Sequence, residues 1–386
     1  MVATVTMPRL LHIGAGAVAE IAAVLGRLGV RTPLIVTDGF MMSSGAVAKV
    51  TDRLDRTALA WKVFSDTVPD PTDTVVEAGV RALQAGPYDC LVALGGGSPI
   101  DTAKAISVLA ANGGKMRDYK VPNEIPKAGL PVVAIPTTAG TGSEVTRFTV
   151  ITDTERDEKM LIMGLACCPA AAIVDYELTF SMPWRLTADT GIDSLTHAIE
   201  AYVSKRASLF TDGVAKSAMA LIAKHIRTAC REPQNAKARE AMMLGATQAG
   251  MAFSNSSVCL VHGMSRPIGA FFHVPHGLSN AMLLPEITAF SASAALERYA
   301  DCARAMGVAA ENEGNQSAVA RLLDELRSLN ADLEVPSPRD YGIDARRYTE
   351  LMPTMASQAL ASGSPGNNPR VPTQDEIIEL YKRVYA

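Results

Sequence analysis

The sequence predicts an α/β N-terminal domain built on a parallel sheet, residues 1–180, followed by an all-α C-terminal domain, residues 181–386. Three observations lead there. The chain has 386 residues, 48% of them hydrophobic and 20% charged, which supplies more core than one domain usually holds. Up to about Phe180, short apolar runs alternate with helical patterns, and βα alternation makes a parallel sheet. After Ser181 the β-branched runs fade and apolar residues recur at spacings of three and four.

The elements follow in order. Strands are predicted at Leu34–Thr37, Trp61–Phe64 and Cys90–Leu94, each followed by a helix: Ala46–Leu54, Thr74–Leu83 and Pro99–Ala110. Further β-like runs lie at Val132–Ile135, Phe148–Ile151, Met160–Met163 and Ala172–Val174. Met182-Pro183-Trp184 interrupts the pattern and marks the boundary. In the second half, Val319, Leu322, Leu323 and Leu326 share one helical face, as do Leu296, Tyr299, Cys302 and Met306. The last helix opens on a capping box, Thr373 with Glu376.

Composition narrows the function. A formal charge of −4, spread along the chain, offers no basic footprint for nucleic acid or an anionic membrane, so the expected partner is a small molecule. Six cysteines without C-x-x-C spacing read as free thiols. Residues 1–11 lack a signal-peptide pattern and the longest apolar stretch, Leu161–Val174, is too short to span a bilayer, so a cytoplasmic location is expected.

Two glycine- and hydroxyl-rich stretches follow predicted strands. Gly95-Gly96-Gly97-Ser98-Pro99 joins a buried strand to a helix whose first turn suits proline, and its free N–H groups and helix dipole favour an anion such as a pyrophosphate. A tight turn needing glycine only for geometry fits equally well. Thr137-Thr138-Ala139-Gly140-Thr141-Gly142-Ser143 offers hydroxyls for phosphate and ribose but lacks the Gly-Lys-Ser/Thr of a nucleoside-triphosphate loop. Asp38 ends a strand, where it either accepts hydrogen bonds from an adenosine ribose or closes a turn before Gly39.

Asp193 and His197 stand one helical turn apart on a common face. His262, His273 and His276 lie in a later stretch punctuated by glycine and proline. Nitrogen and oxygen donors of this kind suit a borderline divalent cation, Fe(II) or Zn(II). Taken singly, each histidine is more often a packed or surface residue than a ligand.

Together these blocks resemble the iron-containing (group III) alcohol dehydrogenases. The matching stretches are Gly95-Gly96-Gly97-Ser98-x-x-Asp101-x-x-Lys104, Pro136-Thr137-Thr138-Ala139-Gly140-Thr141, Gly191-x-Asp193-x-Leu195-Thr196-His197-Ala198-Ile199-Glu200, Val261-His262-Gly263-Met264, Pro275-His276-Gly277 and Asn368-Pro369-Arg370, in order along nearly the whole chain. The resemblance implies a dinucleotide-binding N-terminal domain, a helical metal-binding domain, and a homo-oligomer acting on a small alcohol or aldehyde. It implies Asp193, His197, His262 and His276 as metal ligands, and Gly96, Gly97, Ser98, Thr137, Thr138 and Thr141 as contacts of NAD(H). Lys159 matches a cofactor-binding lysine of the family; Asp101 and Lys104 also match. Glycerol dehydrogenases share the glycine loop but hold zinc on three ligands of another pattern, so the four-residue set favours iron over a zinc-dependent polyol enzyme. One position departs from the family. Where many members carry a histidine four residues after the first late ligand, this chain has Arg266, which stays charged and cannot relay a proton. Two readings stand: Arg266 caps a helix or bridges subunits while His273 is a packed aromatic, or Arg266 points into the cleft and pairs with an anionic substrate tail, as in a semialdehyde, with His273 or water carrying the proton.

Overall fold

The computed structural model describes residues 2–385. The chain divides into two compact units, one of Thr4–Met182 and the other built on Pro183–Ala386.

The first unit holds eight strands, β1 (Leu10–Ile13), β2 (Pro33–Asp38), β3 (Lys62–Thr67), β4 (Cys90–Gly95), β5 (Val132–Pro136), β6 (Phe148–Asp153), β7 (Glu158–Met163) and β8 (Ala171–Val174). Six form one parallel sheet in the order β1-β8-β5-β4-β2-β3. Its central strands are apolar at consecutive positions because both faces are buried. Leu34, Val36, Leu91, Ala93, Val132 and Ala134 pack on one face. Ile35, Val92, Leu94, Val133 and Ile135 pack on the other. The β-like runs at Phe148–Ile151 and Met160–Met163 lie in β6 and β7, which pair antiparallel as a separate ribbon. The short turn 154–157 between them allows a hairpin but not the long crossover that parallel pairing needs.

The strand order fixes where a ligand can meet this sheet. After β3 the chain reverses its direction of travel across the sheet: β2 leads outward to β3 and β4 leads back toward β5, so the ends of β2 and β4 stand side by side while their following segments diverge, with β5 next to β4. In open α/β sheets the crevice beyond the carboxyl ends of strands at such a point is where ligands bind. Asp38 ends β2, Gly95 ends β4 with Gly96–Ser98 after it, and Thr137–Ser143 follows β5.

Among its described residues the second unit contains helices and no strand. The helix Trp184–Val203 packs against Leu209–Arg231, Ala236–Ser256 and His276–Ala292. From Thr187 to Val203 every residue but Thr190 is buried, so this helix lies inside the bundle and its polar side chains need internal partners. No described helix is long and apolar enough to cross a membrane. All six cysteines are free.

Candidate active site

At the sheet ends, the glycine loop and the threonine run press on each other. Gly95 sits at φ +148°, and a Cβ there would lie 2.5 Å from Cγ of Pro99. A Cβ on Gly97 would lie 2.9 Å from Cγ2 of Thr141. The helix that starts at Gly97 has Gly96 as its N-cap and no side chain capping it, so its first amides are available to an anion. Thr138 and Ser98 are partly exposed on this surface, and Thr137 is buried.

Four residues expected at the cofactor prove to have partners of their own. The Ser143 hydroxyl donates to Asp101 Oδ1 at 2.6 Å, and Asp101 Oδ2 accepts from the Val150 amide at 2.9 Å. Beneath them the fully buried Lys104 Nζ donates to Ser143 Oγ, the Thr146 carbonyl and the Phe148 carbonyl at 2.9, 3.0 and 2.8 Å. This cluster ties the 141–148 segment to the Gly97–Asn112 helix and so holds Thr141 against Gly97. Lys159 donates to Asp70 at 2.7 Å on the β6–β7 ribbon. Asp38 caps the helix Gly39–Ser43 by accepting from the Met41 amide at 2.8 Å through Oδ1.

In the helical unit, Asp193, His197, His262 and His276 converge: one ligand atom from each lies within 4.8 Å of all the others. Asp193 Oδ1 is 4.0 Å from His197 Nε2, 3.4 Å from His262 Nε2 and 3.8 Å from His276 Nε2. The i,i+4 spacing puts Asp193 and His197 on one face of Trp184–Val203, and His262 and His276 come from near the starts of two further helices. Gly277 makes the convergence possible, because a Cβ there would lie 2.4 Å from the Asp189 carbonyl oxygen. The His197 ring is stacked between Phe253 and His262, at centroid distances of 4.1 and 4.4 Å. His276 closes the open side, with its side chain 41% exposed. His273 lies outside the cluster, exposed and left-handed (φ 55°) at the end of Leu260–Phe272.

Burial pushes the Asp193 carboxyl up, but the three histidines outweigh it and hold the group well below the usual carboxylate range. For His262 burial lowers the pKa, yet the hydrogen bonds to Asp193 and Glu200 more than reverse it.

Two residues that sequence reasoning passed over complete this centre. Glu200 is buried and accepts from the Cys259 amide (2.9 Å), the Val261 amide (2.6 Å) and His262 Nδ1 (2.7 Å). With Nδ1 donating, the neutral His262 ring turns its Nε2 lone pair inward. Glu200 lies seven positions after Asp193 on the same helical stripe, which was its signal in the sequence. Asn280, one turn after His276, lies 2.7 Å from Asp193 Oδ1.

Arg266 is half-buried, and its guanidinium donates to Ser364 Oγ at 3.1 Å. Among the described residues no carboxylate lies within ion-pair distance of it.

Comparison with known proteins agrees with this geometry. The model of the "Iron-containing alcohol dehydrogenase" family matches residues 8–176, and that of the "Fe-containing alcohol dehydrogenase family, C-terminal" matches residues 187–385. The lactaldehyde reductase of Escherichia coli K12 is 40% identical over 371 residues, 95% of this chain and 96% of that protein. The crystal structure of a 1,3-propanediol oxidoreductase superposes with a TM-score of 0.95 at 34% identity, covering 100% of both chains. Sulfoacetaldehyde reductase from Bifidobacterium kashiwanohense, solved with NAD+, gives a TM-score of 0.90 at 29% identity over 100% of this chain and 99% of that one. With both halves matched and the four-donor cluster assembled, this chain belongs to the iron-containing alcohol dehydrogenase family.

Proposed function

We propose that the protein is an NAD(H)-dependent, Fe(II)-dependent alcohol dehydrogenase or aldehyde reductase, with Asp193, His197, His262 and His276 as the metal ligands. The observation that carries this reading is the convergence of one carboxylate oxygen and three imidazole nitrogens, held by Glu200 behind His262. One oxygen and three nitrogens fit Fe(II), and Zn(II) fits the same set. When bound, such a cation supplies Lewis acidity at the substrate oxygen, and NAD(H) supplies or takes the hydride. The residues of the chain do the positioning. The amides after Gly96 take the pyrophosphate, with Ser98, Thr137, Thr138 and Thr141 around it; Asp101, Lys104 and Ser143 brace that loop from below. His276 lies on the exposed side of the cluster, where a substrate oxygen can approach. The assay is NADH absorbance with short aldehydes, with and without Fe(II). Aldehyde-dependent NADH loss that needs the metal is expected; no loss with any aldehyde would refute the reading.

Cofactor choice rests on Asp38. Its Oδ1 caps a helix, leaving Oδ2 for ribose hydroxyls and its charge set against a 2′-phosphate. NAD should therefore be preferred over NADP, and Asp38→Gly should narrow the ratio of kcat/KM values by about tenfold, a change of ~1.4 kcal/mol. Glycine serves almost as well as an N-cap, at a cost of only a few tenths of a kcal/mol, so a changed ratio would report on the cofactor and not on folding. A wild-type preference for NADP would contradict the assignment.

A second reading narrows the substrate to aldehydes with an anionic tail. It rests on Arg266, a half-buried guanidinium one helical turn after His262 whose hydrogen-bond partner among the described residues is a neutral hydroxyl. A relative of similar fold is named for a sulfonated aldehyde. A charge-assisted hydrogen bond contributes about 1.5–3 kcal/mol, so a carboxylate-bearing semialdehyde should exceed a neutral aldehyde of equal length roughly ten- to a hundredfold in kcat/KM. Arg266→Ala should erase that difference. Better turnover of neutral aldehydes by the wild type would eliminate the anionic tail and leave the dehydrogenase reading intact.

A further inference from the structure

Asn280 is fully buried, and its Nδ2 reaches three of the four donors. It lies 2.7 Å from Asp193 Oδ1, 3.1 Å from His262 Nε2 and 3.3 Å from His276 Nε2. Two amide hydrogens thus face a carboxylate oxygen and two ring nitrogens, which accept when they carry a lone pair. In the neutral ring, with Nδ1 donating to Glu200, the Nε2 of His262 is an acceptor. The other end of the same amide, Oδ1, is buried with no hydrogen-bond partner. A buried carbonyl oxygen left this way costs about 1–3 kcal/mol.

The helix spacing explains how Asn280 arrives there. His276 and Asn280 stand four apart near the start of His276–Ala292, as Asp193 and His197 do on Trp184–Val203. Each helix therefore presents an i,i+4 pair of nitrogen and oxygen donors to one locus. Lone pairs that converge on the hydrogens of an NH2 are lone pairs that a cation would take instead. An NH2 facing a divalent cation is repelled, whereas a half-turn about the terminal side-chain bond brings in Oδ1 at no cost in packing, since the two ends of the amide are nearly isosteric.

We infer that Asn280 is a fifth member of the cation site, holding the ligand set through Nδ2 in the metal-free protein and turning Oδ1 to the cation when metal binds. The turn exchanges three weakened donor contacts and an orphaned oxygen for a carbonyl dipole on the metal. This inference rests on the metal-site assignment proposed above.

The test is metal affinity, measured by Zn(II) competition against a chromophoric chelator on chelator-stripped protein, with Co(II) absorption as a second reading. Wild type, Asn280→Ala and Asn280→Asp are compared. Asn280→Ala should weaken Zn(II) binding by about 10- to 100-fold and alter the Co(II) spectrum. Asn280→Asp, which keeps an inward oxygen but cannot donate, should bind at least as tightly as wild type. If the amide only braces the ligands through Nδ2, Asp would repel Asp193 and bind metal worse than Ala, which overturns the inference. Equal affinity of Ala and wild type overturns it as well. Should the wild type bind neither ion, the metal-site assignment itself fails. Circular dichroism of the metal-free variants separates lost affinity from lost fold.

Discussion

His262→Ala should lower metal affinity by at least about a hundredfold and kcat/KM by about a thousandfold or more. The first figure exceeds what loss of a supporting residue costs, and the second follows from losing several kcal/mol of transition-state stabilisation. The histidine is anchored at both ends, with Nδ1 on Glu200 and Nε2 3.4 Å from Asp193 Oδ1. Its removal also strips Glu200 of a buried partner, leaving that carboxylate on two backbone amides. His276→Ala should reduce turnover comparably with less harm to folding, because its side chain is 41% exposed. Direct measurement of bound metal after anaerobic loading, beside kcat/KM, checks both. Wild-type metal content in either variant would remove that residue from the ligand set.

The largest effect on stability is expected at Lys104. Its ammonium is fully buried, where desolvation pulls the pKa down and the charge of Asp101 pushes it back up. Lys104→Met abolishes hydrogen bonds to Ser143, Thr146 and Phe148 and leaves Asp101 without a compensating cation. Leaving a buried carboxylate and the buried acceptors without the cation that compensates them costs about 3–5 kcal/mol, which should lower the melting temperature on the order of 10 °C. Lys159→Met is the contrast: its partner Asp70 is 68% exposed, so the change should cost about 1 kcal/mol or less. Thermal unfolding of the two variants side by side decides it, and equal melting points would show that the Lys104 cluster does not brace the loop.

Much of the fold was legible because burial on both faces writes itself into a strand. Cys90–Leu94 and Val132–Ile135 are apolar at every position, and both are central strands of the sheet. The pairing of β6 with β7 was less legible, since an apolar run does not state the direction of its neighbour, and only the length of the turn does. The four converging donors could be named from their blocks, whereas Asn280 could not: it is uncharged and common in helices, and its meaning lies in distances to Asp193 and His262, 87 and 18 positions away. Asp101 and Ser143 show the opposite limit. Their place beside the glycine loop was visible in sequence, but not that their side chains face each other. Whether a polar side chain serves a ligand or its own loop depends on a rotamer, which spacing does not encode.

The most direct test of the account is turnover as a function of metal. NADH oxidation by a short aldehyde should stop when the protein is stripped anaerobically with a chelator and return, most fully, on addition of Fe(II). Undiminished turnover in rigorously metal-free protein would contradict the assignment of Asp193, His197, His262 and His276 as a catalytic metal centre.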